Sequence, residues 1–197
     1  VRGDRPPGAG NFTALAAMPA RQMIERGDWA GAAALPVTSS PYPQADSLTR
    51  FTRGLGMARS GDVAGAKREI AAMEALRLTL QKSDQSYWAD RTEEQMLAVA
   101  AWVAFAEGNR AQAEKLMRGA ADSEDGSVKN VIMENRLYPL RELLADLLLE
   151  TGQAAPALRE YEAALKAYPN RYRGLYGAAR AAEGAGDRQK AADYFGK

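Results

Sequence analysis

Five times in this chain a glycine is followed, five residues later, by an alanine, each time between two stretches rich in helix formers. The pairs are Gly27 and Ala32, Gly61 and Ala66, Gly108 and Ala113, Gly152 and Ala157, and Gly186 and Ala191. The glycine spacings are 34, 47, 44 and 34 residues. Self-similarity at such a period marks a chain built from repeated units, each unable to bury its apolar face alone. Each position has a physical reason. A glycine ends a helix by entering the left-handed region without strain. The Asp or Asn that follows in four junctions (Asp28, Asp62, Asn109 and Asp187) accepts the free N–H groups of the next helix. The alanine then lets the two helices cross closely. In the last four units a larger apolar residue (Ile70, Met117, Tyr161, Phe195) follows one turn later on the same face. Pro36 takes that place in the first unit and stops its second helix near Leu35.

The remaining composition agrees. Alanine supplies 40 of the 197 residues, and Leu, Glu, Arg, Met and Gln fill much of the rest. No stretch alternates long enough for a convincing strand. The expected fold is all-α, a solenoid of about five antiparallel helix pairs with longer helices or inserts in the middle. The pairs are expected at 12–26 with 28–35, 45–60 with 62–81, 84–107 with 109–123, 138–151 with 153–168, and 171–185 with 187–196. Residues 1–11 read as a flexible entry segment and 12–197 as one repeat domain. The stretch 36–44 is a loop because its three prolines interrupt a helix interior. Residues 124–137 are the longest irregular candidate. Within them Val131-Ile132-Met133 reads as a buried anchor, with a short strand as the alternative.

Composition also narrows function. There is no Cys and no His, which removes thiol nucleophiles, the usual neutral-pH base and the usual zinc ligands. Adjacent carboxylates such as Glu93 and Glu94 do not face each other on a helix. The chain is therefore expected to be no enzyme, with no metal and no cofactor. Net charge is +1, and no block is basic enough for a nucleic-acid or membrane surface. No apolar run is long enough to span a bilayer. The start lacks both Met and a leader pattern, so a removed leader or an excised fragment is expected, in cytoplasm or periplasm.

The pattern Leu144-Ala145, Leu148, Gly152, Ala157, Tyr161, Ala164 and Pro169, repeated by Ala178-Ala179, Gly186, Ala191 and Phe195, resembles the tetratricopeptide repeat. The resemblance departs where that pattern carries a Trp, since Arg141 and Leu175 stand there. Residues 42–62 and 168–187 also resemble the C-terminal part of longer bacterial proteins of this class. The resemblance implies a right-handed superhelix whose first helices line a concave groove that binds a peptide or partner protein. Carried onto this sequence, the groove takes Arg21, Phe51, Leu55, Arg59, Trp102, Phe105, Glu142, Asp146, Arg173, Tyr176 and Arg180. Arg173, Tyr176 and Arg180 share one helix face and suit an acidic peptide or, alternatively, an ordinary solvated surface. Trp102 and Phe105 read as an exposed anchor or as core, with core favoured. The Lys and Asn set that clamps a peptide carboxylate in some family members is missing. The alternative role is a structural or dimerisation module of a larger protein, whose end, with Tyr194 expected to be exposed there, docks onto another copy or onto missing sequence.

Overall fold

In the computed structural model the described residues are 8–127 and 136–197, and they form ten helices and no strand. The helices are α1 (Ala9–Arg26), α2 (Trp29–Ala33), α3 (Pro43–Arg59), α4 (Val63–Lys82), α5 (Ser86–Ala106), α6 (Arg110–Gly126), α7 (Leu140–Glu150), α8 (Ala154–Ala167), α9 (Tyr172–Gly184) and α10 (Arg188–Phe195). Consecutive helices pack as neighbours from α3 to α10, and the first helices of successive pairs also meet, α1 on α3, α3 on α5, α5 on α7 and α7 on α9. That is the packing of a solenoid of helix pairs.

The junctions carry the local logic. Gly27, Gly61, Gly108, Gly152 and Gly186 all have φ between 65° and 87°, where a side chain is strained. The residue after each glycine sends its N–H back across the finished turn, as Asp62 does to the Met57 carbonyl at 2.8 Å and Asp187 to Ala182 at 2.9 Å. In four junctions that same residue caps the next helix. Asp28 accepts from the Gly31 amide at 2.8 Å, Asp62 from Gly65 at 2.8 Å, Asn109 from Gln112 at 3.1 Å and Asp187 from Lys190 at 3.0 Å. Gln153 makes no cap and instead donates to Glu114 and Thr151.

The alanines follow suit. Ala32, Ala66, Ala113 and Ala157 are fully buried and Ala191 is 7% exposed. Ala157→Leu is expected to cost about 1–3 kcal/mol through overpacking at the α7–α8 crossing. Urea melts of mutant and parent measure it, and a loss within error would mean that the helices are not in close contact there.

Several boundaries differ from expectation. α1 begins at Ala9, so residues 9–11 are helical and not part of a flexible entry. α3 begins at Pro43, two residues early, because proline suits the first turn of a helix. α6 runs to Gly126, so 124–126 are not irregular. The long second interval comes from α4 and α5, with 20 and 21 residues. The anchor expected at Val131-Ile132-Met133 lies outside the described residues. Phe195, rather than Tyr194, is the exposed aromatic of α10, because the Tyr194 hydroxyl donates to Glu162.

The core runs through the whole stack. Its largest fully buried side chains include Trp102, Tyr138, Tyr161, Phe51 and Ile24. Among the described residues four glutamates are buried, and each pairs with an arginine: Glu69 with Arg50 and Arg53, Glu94 with Arg91, Glu124 with Arg136, and Glu142 with Arg171. None of the described helices is long and apolar enough to cross a membrane.

Candidate functional site

Five of the residues singled out in the sequence, Arg59, Asp146, Arg173, Tyr176 and Arg180, line one cavity of about 560 Å³. α1 brings Glu25 and Arg26 to it, α7 brings Leu149 and Glu150, α8 brings Tyr161, and α9 brings Tyr172. The cavity is a trough between the C-terminal turns of α1, α3 and α7 and one face of α9.

Its floor is a closed polar network. Asp146 accepts from the hydroxyls of Tyr138 and Tyr161 and from Arg173 Nη2 at 3.2 Å. Arg173 also donates through Nε to the Tyr138 hydroxyl and through Nη1 to the Ile24 carbonyl, both at 3.2 Å. This last bond, with the 2.7 Å ion pair of Arg171 and Glu25, ties α9 to α1. Burial pushes the tyrosine hydroxyls of 138 and 161 well above their ordinary pKa, and the Asp146 charge adds to it. They stay protonated donors at any ordinary pH. Arg173 stays charged because Tyr138 and Asp146 outweigh its own burial.

Close approach makes the network possible. A Cβ on Gly177 would lie 2.3–2.6 Å from the Tyr161 ring and hydroxyl, so only glycine lets α9 settle over that tyrosine. Beneath the floor, Glu142 is 1% exposed and accepts from Arg171 Nε at 2.9 Å. Burial is the main reason its carboxyl is pushed up to about 7, against the pull of Arg171.

Arg59 forms one wall. Its guanidinium lies 4.3 Å from the Trp29 ring and 3.8 Å from the Trp102 ring, between the two indoles. It pairs with Glu150 through Nη2, while Nε and Nη1 are buried with no acceptor. The other wall is aromatic. Tyr172 and Tyr176 are 72% and 46% exposed and stack at 6.1 Å. Tyr176 meets Phe195 edge-on, also at 6.1 Å, and Phe195 is 52% exposed. Arg180 donates to the Tyr176 hydroxyl at 3.4 Å.

The other expected groove residues lie elsewhere. Phe51, Leu55 and Trp102 are buried in the core, and Glu142 is sealed under the trough. Phe105 packs edge-on against Trp102 at 5.5 Å. Phe51, Leu55 and Ala58 share the inward face of α3, and Arg59, one residue further round, escapes it. Arg173 is also corrected: it is no free solvent-facing arginine but the tie between α7, α9 and α1. Arg21 is half-buried and donates to the Arg136 carbonyl at 3.2 Å. Sequence reasoning missed Arg26, Glu150 and Tyr172. A usable signal existed for two of them, because Arg26 and Glu150, like Arg59, stand one or two residues before a junction glycine.

Among the described residues no cluster of His, Cys, Asp or Glu is arranged to hold a metal ion. In comparisons with family models, characterised proteins and solved structures, the chain matches none.

Proposed function

We propose that this chain is a non-catalytic protein-interaction module, a right-handed superhelix of tetratricopeptide-like repeats that takes a peptide or partner-protein segment in the trough. One observation carries the reading. The polar floor is spent on itself, while the rim presents exposed Tyr172, Tyr176 and Arg180. A floor whose donors and acceptor are mutually committed supports a shape and a surface better than a reaction. Exposed tyrosines and arginines are the residues that contribute most to protein contacts. The five Gly–Ala junctions support the repeat class. Arg141, at the place of the missing Trp, holds α6, α7 and α8 together through Asp122, Asp125 and Glu160. The nearly balanced charge supports a protein partner over a nucleic acid.

The test is a photo-crosslinking residue placed at Tyr176, and at exposed Lys115 as a control, with the chain used as bait. The trough reading expects one partner captured through position 176 and not through 115. Capture only through 115 would overturn it. A second reading, a structural or dimerisation module, is favoured by Leu15 and Met18, which are 68% and 70% exposed on α1. It expects dimers in sedimentation that Met18→Glu abolishes.

A further inference from the structure

Every acid lining the trough is already committed. Glu25 pairs with Arg171, Asp146 with Arg173, and Glu150 with Arg59. Two arginines lining the same trough, Arg26 on α1 and Arg180 on α9, have no ion pair among the described residues. The unpaired formal charge of the trough is thus cationic.

The aromatic wall sets the shape of what fits. Tyr172 and Tyr176 line the cavity, and the ladder continues past it to Phe195. A surface that runs out of the cavity suits a chain more than a small molecule. From Tyr172 to Arg180 is eight residues of helix, about 12 Å at a rise of 1.5 Å. An extended peptide covers that with three to four residues, at about 3.3 Å each. Alternate residues of such a peptide point the same way, roughly 6.6 Å apart. The Arg180 guanidinium lies 6.0 Å from the Tyr176 ring, which matches that repeat.

We infer that the trough recognises an extended acidic segment of a partner protein, with a side-chain carboxylate two residues from an apolar or aromatic side chain. The carboxylate pairs with Arg180 and a second one with Arg26. The apolar side chain lies on Tyr172 and Tyr176. Arginine suits this role because its planar fork meets both oxygens of a carboxylate. The inference rests on the trough being the interaction surface, and it adds the chemistry of the occupant.

The probe is a ten-residue peptide alternating Ser with Glu and Phe, acetylated and amidated so that only side-chain carboxylates are present. Its counterparts carry Lys for Glu, or Ser for Phe. Fluorescence anisotropy with the full chain is expected to show binding of the Glu and Phe probe, weakened by Lys for Glu and by Ser for Phe. Arg26→Ala and Arg180→Ala are each expected to weaken it roughly threefold, and together about tenfold. The loss shrinks at high salt. Both variants stay folded by circular dichroism, because neither arginine holds a structural ion pair. Equal binding of the Lys probe overturns the acidic assignment; if Tyr176→Ala then weakens both probes, the trough still stands as the surface. No binding of any probe also overturns the inference, and crosslinking from position 176 separately decides whether the trough is used.

Discussion

Asp146→Ala is expected to destabilise the fold by about 3–5 kcal/mol, the range for breaking a buried ion pair by removing one partner. Asp146 is the shared acceptor of the trough floor, with a side chain 11% exposed. Its loss leaves the Arg173 guanidinium, itself 19% exposed, without a counter-charge. It also leaves the Tyr138 hydroxyl, on a residue 2% exposed, without its acceptor. Three helices feel the change, since α7 carries Asp146, α8 carries Tyr161 and α9 carries Arg173. Asp146→Asn should lose less, because the amide oxygen still accepts from one tyrosine. Urea melts of both variants and of Arg173→Ala decide it. The double mutant should lose clearly less than the two single losses added together, a coupling of about 0.5–3 kcal/mol. A loss under 1 kcal/mol for Asp146→Ala would mean that the floor is solvated and not a closed network.

The fold was legible wherever the chain repeats itself. The glycine, the capping Asp or Asn and the alanine act within one or two helical turns, so their meaning survives without tertiary information. The left-handed glycines and the buried alanines follow directly from that local grammar. Lengths were harder. α1 starts at Ala9 and α6 runs to Gly126, both beyond the expected 12 and 123, because tertiary packing as well as propensity decides how far a helix continues. The candidate site was legible in part, for a geometric reason. Arg173, Tyr176 and Arg180 share one helix face in any register, so their neighbourhood was readable. Their roles were not. Nothing in the sequence says that α1 returns to within hydrogen-bond reach of α9, 149 residues away at Ile24 and Arg173. That closure makes Arg173 structural and leaves Arg180 free. Phe51 and Trp102 were placed in a groove by analogy of position, and a shift of one residue around α3 separates buried Leu55 and Ala58 from Arg59.

Glu142 sits at that same closure, and it gives the protein a pH dependence of defined sign. The folded carboxyl keeps its proton up to about 7, whereas the ordinary value is 4.5. Between those two pH values the folded state holds more protons than the unfolded chain. Stability must therefore fall as pH rises through that window, by on the order of 3 kcal/mol in all. Glu94, also raised chiefly by burial, adds in the same sense. Glu74 and Glu114 are held low, by hydrogen bonds from Arg77 and from Gln153 and Arg118 respectively. Their contribution is lost only at more acid pH, as pH falls through their folded pKa. The chain is accordingly expected to be most stable near pH 5. The groups facing Glu142 are Arg171, which lowers its pKa, Asp146, which raises it, and Arg173, which lowers it. Burial outweighs them, and Glu142 Oε1 has no partner in its buried place. Glu142→Gln keeps the shape and an acceptor for Arg171 but removes the titration. Urea melts at pH 5.0 and 7.5 should show the parent clearly less stable at the higher pH and the variant nearly level. Equal slopes in both would mean that Glu142 is ionised throughout and firmly paired with Arg171.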